Sequence, residues 1–450
     1  MSLLKDKTFL SIYIPNYLEY SVLFILGILD TIFIAFVDPH FVTVLGVTHS
    51  LLIVVFVTSQ IIANITSAHL ANPDLTDDKR YFWINKTLLL TFLTGVVYVG
   101  VILVLVPYLL QVVNLDNNYQ HLNYSFIVLI LLGAIFVALR RGISAVFNIY
   151  RQAKVNLYSS FLIVILNIVL NIICYWSFYG KNNDFYLLGI ATATLLSQVL
   201  VPLGLLYWMV KHKVTDFSNI KKLVTTLRQD WGIIKTGFVG SLEAGSYTVM
   251  TYVFIAVLSH ISQTAYLTRT MLVPWFQMVG ALAAAWVGYT NRELAFCLNK
   301  NLMIKFGRTI NYLIKWGRLF TSIGLVVMLS VFAIYQHWAL KNIYHDDQTI
   351  STLIIVVLSM ALIELFRVQN VITLTGLRLL KRVGQSTTLS IVCHIVLVTG
   401  YGVIYYTQDY TSTLLAVGLM FGLMIGDEYF RSVYNYSLVK KYSKPNTVTN

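Results

Sequence analysis

Long apolar runs separated by short polar stretches repeat along the whole chain. Each run holds about 20 largely apolar residues, the length that carries an α-helix across a bilayer. We read twelve such spans, centred near residues 24, 54, 100, 133, 166, 198, 247, 279, 327, 363, 396 and 421. The pattern predicts an all-α integral membrane protein with twelve transmembrane helices. The opening segment MSLLKDK leads straight into the first run, without the features of a cleavable signal peptide, so the first span is expected to stay.

Composition agrees with this pattern. Of the 450 residues, 57% are hydrophobic and 11% charged, and the mean hydropathy is +0.73. A soluble domain of this size carries far more charge. The formal net charge of +13 suggests a nucleic-acid partner only until its position is read. Most of the 32 Lys and Arg lie in the tails or in the connections after spans two, four, six, eight and ten. Lys79 and Arg80, Arg151 and Lys154, Lys221 and Lys222, and Lys381 and Arg382 are examples, whereas only Lys181 and Lys341 fall in the opposite loops. This is the positive-inside asymmetry. It predicts an even number of spans, with both termini cytoplasmic, in the plasma membrane. The basicity then reports topology and some attraction to the anionic lipid of the bilayer, and no nucleic-acid partner is expected. Cys174, Cys297 and Cys393 lie far apart and form no metal or redox motif.

The longest cytoplasmic connection, 211–231, divides the chain into an N-terminal six-helix bundle (1–210) and a C-terminal one (232–450). The two halves resemble each other. RQAKVNLYSSFLIVILNIVL (151–170) matches RLLKRVGQSTTLSIVCHIVL (378–397) at an offset of 227, and Glu19 matches Glu243 at an offset of 224. Two nearly equal offsets at corresponding places argue for a duplicated unit, with a pseudo-twofold axis along the membrane normal.

One charge stands out within the first span. LFILGILDTIFIAF (23–36) carries Asp30 at its centre. A charge there costs about 2.5 kcal/mol or more unless it is protonated, paired or wetted. A carboxylate in such a place can take up a proton from outside and release it inside, and it can attract a cationic substrate while ionised. Competition for one charge, joined to alternating access, gives antiport. The alternative is a structural carboxylate bonded to Asn or Thr on a neighbouring helix.

IPNYLEYSVLFILGILDTIFIAF resembles the first helix of the multidrug and toxic compound extrusion (MATE) transporters, of the multidrug/oligosaccharidyl-lipid/polysaccharide (MOP) flippase superfamily. Pro15, Glu19, Gly27, Asp30 and Thr31 fit the family's spacing. LGIATATLLSQ (188–198) is similar to the family's sixth helix, ILNIVLN (165–171) to its fifth, and GFVGSLEAG (237–245) to the start of its seventh. The resemblance implies two six-helix bundles and export of amphipathic, cationic small molecules in exchange for H⁺ or Na⁺. It also implies a polar cluster of Asn167, Asn171 and Thr194 around Asp30, able to offer oxygens to Na⁺, and a coupling role for Glu243. No other cofactor and no obligatory protein partner are expected. The sequence departs from the family pattern at Arg367, where one branch has an aspartate, and at Asn171, where another has Asn-x-x-x-Asp. It departs again at Arg269 in the eighth span.

The remaining polar residues of the spans have two readings each. Glu19 is a second coupling acid or a vestibule carboxylate. Glu364 and Arg367, three apart, are a self-neutralising pair, or Arg367 joins Arg269 in binding an anionic group. His394 corresponds to Asn167 in the repeat and is a helix contact or a proton relay. Arg140 and Arg141 are expected to snorkel to the cytoplasmic surface, and Asp427 to pair with Arg431. The intramembrane arginines, Arg318 included, keep open a flippase of an anionic lipid-linked substrate. No zinc motif or phosphate-binding glycine loop supports an intramembrane enzyme.

Overall fold

The computed structural model describes residues 7–35, 40–70, 76–113, 120–150, 152–180, 182–216, 231–299, 302–343, 348–380, 382–407 and 412–443. Most of the predicted linker, 217–230, lies outside them, as do Lys181, Arg151, Lys221, Lys222 and Lys381.

Twelve α-helices and no strand occur among the described residues. They are α1 (Lys7–Ala35), α2 (His40–Leu70), α3 (Asp77–Val112), α4 (Gln120–Ile149), α5 (Ala153–Phe178) and α6 (Asn183–Lys211). The second set is α7 (Trp231–Ile261), α8 (Gln263–Asn299), α9 (Met303–Ile343), α10 (Gln348–Leu379), α11 (Val383–Thr407) and α12 (Thr413–Tyr442). Each matches one predicted span. Eleven are long and apolar enough to cross a bilayer; α8, which carries Arg269, is the exception among the described residues. The protein is a multi-pass membrane protein.

The helices show the inverted pattern that a lipid solvent allows. On α5 the buried positions are Asn156, Ser159, Ser160, Ile163, Val164, Asn167 and Asn171, beside Ala153. Its exposed positions are apolar, Ile165, Ile173 and Trp176 among them. Hydrocarbon tails cannot hydrogen-bond, so the polar stripe turns inward, where other helices satisfy it. On α11, the counterpart of α5 in the repeat, Ser386, Thr387, Ser390 and His394 are buried while Ile395 and Val396 are exposed.

Two compact units make up the chain. The first comprises Met1–Ile28 and Val253–Asn450, the second Leu29–Tyr252. Their borders thus fall within α1 and α7. In the first unit Tyr13 of α1 joins a core with Leu294, Phe306, Ile310, Ile372 and Leu438. In the second, Ile84, Leu88, Ile143, Phe147 and Met209 form the core, and α3 holds the first part of α7: Tyr98 Oη donates to Ser241 Oγ at 2.7 Å, and Tyr252 donates to the Leu109 carbonyl. Contact between α3 and α4 is close, because a Cβ on Gly95 would lie 2.8 Å from Ala138 Cβ.

Arg140 corrects one expectation. It does not snorkel. It is buried and donates to Ser160 Oγ on α5, where the inward polar stripe of that helix offers an acceptor. Asp427 and Arg431 pair as expected, with Arg431 Nη2 donating at 2.7 Å. The three cysteines are free thiols.

Candidate functional site

The last turns of α1 carry Asp30 into the second unit, where it meets α5 and α6. Tyr186 Oη on α6 donates to the Phe33 carbonyl at 3.2 Å and fastens this end of α1. Asp30 is 5% exposed. Thr194 Oγ1 donates to its Oδ2 at 2.9 Å, and Asn171 Nδ2 donates to its Oδ1 at 3.2 Å. Asn171 Nδ2 also donates to Asn167 Oδ1 at 2.9 Å, while Asn167 Nδ2 donates to Thr194 Oγ1 at 3.0 Å. The four side chains form a closed ring. Asn167 and Asn171 face together because they are four residues apart on one helix.

The ring accounts for a buried carboxylate within a spanning helix. A hydrogen bond to a charged group contributes about 1.5–3 kcal/mol, so two of them match the insertion cost of about 2.5 kcal/mol or more. One oxygen is left over. Asn171 Oδ1 is buried and accepts no hydrogen bond among the described residues. An idle acceptor beside a carboxylate suits an added proton donor or a hard monovalent cation, which prefers oxygen ligands. Asp30, Asn167, Asn171 and Thr194 together present an oxygen-rich cluster of that kind.

The other predicted residues stand elsewhere. Glu243 lies half-buried on α7 in the second unit, and Glu19 is buried on α1 in the first. Arg269 stacks its guanidinium over the Phe254 ring, 5.2 Å from the centroid. Glu364 and Arg367 pair directly. His394 is buried on α11.

Two features escape a sequence-based reading. The first is how far the Glu364–Arg367 pair extends. Arg431 Nη2 reaches both Asp427 and, at 3.0 Å, Glu428, while Arg367 Nε lies 3.8 Å from Glu428. Two i, i+3 and i, i+4 pairs, on α10 and α12, become one network. Each pair is legible alone, but nothing in either segment says that they meet. The second is an asymmetry of the repeat. At the offsets of 224 and 227, Asp30 corresponds to Phe254 and Thr194 to Phe421. These two rings pack edge to face at 5.1 Å. Two of the four ring groups in one half are thus replaced by phenylalanines in the other, while Asn167 corresponds to His394 and Asn171 to Val398; the spacing of the repeat is the signal that could have found this.

No protein-family profile matches the chain, and no curated protein sequence does. Solved structures match over nearly all of it. The outward-facing conformation of a multidrug resistance MATE family transporter of the MOP superfamily is 16% identical, with 96% of this chain and 95% of that one covered at a TM-score of 0.66. The inward-facing conformation of such a transporter gives 16% identity, 94% of both chains and a TM-score of 0.67. The fold is the MATE transporter fold. A third match is a MOP superfamily transporter from Pyrococcus furiosus, at 15% identity, 96% and 95% coverage and a TM-score of 0.66, whose binding pocket is described as of reverse polarity, suggesting a different function. Within the MATE fold of this chain, α1, α5 and α6 bring together the four residues that the motif resemblance had singled out.

Proposed function

We propose that the protein is a secondary-active antiporter that exports an amphipathic, cationic small molecule in exchange for H⁺ or Na⁺. Asp30 is the coupling charge, and Asn167, Asn171 and Thr194 hold it. The observation that carries this reading is the Asp30 ring: a buried carboxylate, oxygen-rich surroundings and one idle acceptor at Asn171. Driving ion and substrate compete for the carboxylate. Differential affinity of each for the inward- and outward-open states then couples their movements. Glu243 and Glu19 are secondary candidates for steering the cation.

Flipping of an anionic amphiphile is the second reading. It draws on the reverse-polarity pocket of the Pyrococcus furiosus transporter and on the intramembrane arginines of α10 and α12. Arg367 and Arg431, however, are engaged by Glu364, Asp427 and Glu428. Guanidiniums held by carboxylates are poorly placed to receive a phosphate. The cationic reading therefore stands first. Paired uptake assays in proteoliposomes, one with a cationic dye and one with an anionic lipid-linked analogue, discriminate the two. Gradient-dependent movement of the cation alone supports the antiporter, and movement of the anion alone rejects it.

A further inference from the structure

Four helices of the first unit meet at the end of α12. A Cβ on Gly376 of α10 would lie 2.8 Å from Ile310 Cδ1 of α9 and 3.7 Å from Val439 Cγ2 of α12. One on Gly307 of α9 would lie 3.0 Å from Ser443 Oγ, just past α12. From α11, Gln385 Oε1 accepts from Tyr442 Oη at 3.0 Å. This end carries an organised set of cations. The Arg382 guanidinium stands over the Tyr442 ring, 5.3 Å from its centroid, and Lys441 Nζ lies 5.8 Å from the same centroid. The ring is held by its hydroxyl and gathers one cation from the entry to α11 and one from the last turn of α12. Lys440 precedes Lys441 on α12, and Lys305 and Arg308 stand either side of Gly307 on α9. All five cations are exposed. Among the described residues no carboxylate pairs with Arg308, Arg382, Lys440 or Lys441.

Lys440 and Lys441 have a local explanation, since cations in the last turn complement the dipole of α12. Arg382 has no such explanation. It stands immediately before α11, at the positive end of that helix dipole, and the first turn of α11 holds no acid. A cation in that place is disfavoured. Stacking on Tyr442 offsets part of the cost, and an anion shared by Arg382 and Lys441 removes the conflict. The surroundings favour one carrier for that anion. Leu302 and Ile304, 39% and 58% exposed, adjoin Lys305 at the start of α9. Exposed alkyl side chains beside cations, at the end of spanning helices, suit the level where acyl chains meet headgroups. A free phosphate would gain nothing from them.

We propose that this end of the first unit binds the headgroup phosphate of an anionic phospholipid, with Arg382 and Lys441 as its principal contacts. The general attraction of a basic membrane protein for anionic lipid thereby gains a location. The site shares no residue with the Asp30 ring, and its occupancy does not depend on the antiport reading.

The test titrates the purified full-length protein in detergent with phosphatidylglycerol in mixed micelles and counts retained phospholipid by native mass spectrometry. Phosphatidylcholine, which has a phosphate but no net charge, and inorganic phosphate are run beside it. The wild type is expected to retain phosphatidylglycerol in preference to phosphatidylcholine. Arg382→Gln combined with Lys441→Gln is expected to weaken retention about thirtyfold, the effect of two cations near an anionic surface. Each single change is expected to weaken it about fivefold and serves if the double variant does not fold. Lys211→Gln combined with Lys213→Gln removes the same charge from exposed positions at the end of α6, in the second unit, and is expected to leave retention unchanged. Equal weakening by the two double variants would reveal diffuse attraction and overturn the site, as would retention of phosphatidylcholine equal to that of phosphatidylglycerol. Displacement of the lipid by an equal concentration of inorganic phosphate would assign the cations to a soluble anion and overturn the phospholipid.

Discussion

At the scale of single residues, charges inside the membrane are held by specific donors, and those donors are where sensitivity should lie. Thr194→Val removes a bond to Asp30 that contributes about 1.5 kcal/mol or more. Gradient-driven efflux is expected to fall about tenfold, while Thr194→Ser, which keeps the hydroxyl, retains most of it; initial rates in proteoliposomes check both. Arg431→Leu leaves Asp427 and Glu428 without their main partner. Breaking a buried pair in this way costs about 3–5 kcal/mol, so the variant is expected to lose most of its folded, monodisperse yield on size-exclusion chromatography. Wild-type yield would show that the pair is dispensable. Arg140 marks the limit of position-only reasoning: its place near a span end suggested the surface, but Ser160 on the neighbouring helix draws it inward.

Helices were the most legible level. The hydropathy pattern located all twelve, and eleven of them are long and apolar enough to cross a bilayer among the described residues, because a lipid solvent demands long apolar elements with internally satisfied backbones. The polar stripe on α5 was also visible, since Asn167 and Asn171 share a face, and motif resemblance supplied their meeting with Asp30 and Thr194. The α10–α12 network was legible only as two local pairs, because helix-to-helix register is written in packing and not in either segment. Close packing depends instead on small residues. Gly95 is a sharp test: with Ala138 Cβ 2.8 Å and the Ile135 backbone 3.1 Å from its would-be Cβ, Gly95→Val must push α3 off α4. Overpacking of this kind costs about 1–3 kcal/mol and is expected to lower the melting temperature in detergent. Gly100, which has open space beside it, should tolerate the same change.

Across the whole molecule, the two stretches that the sequence repeat relates differ in their chemistry. One copy keeps a carboxylate ringed by amides and a hydroxyl. The other has Phe254 and Phe421 at the matching places and carries its charges on α10 and α12 instead. Coupling at Asp30 is the central claim, and the most direct measurement is efflux of a cationic dye from proteoliposomes containing either the wild type or Asp30→Asn. An inward H⁺ gradient and an inward Na⁺ gradient are imposed in turn. The wild type is expected to export the dye under one of the two gradients, which names the driving ion, and Asp30→Asn under neither. Equal gradient-driven export by both proteins would contradict coupling at Asp30.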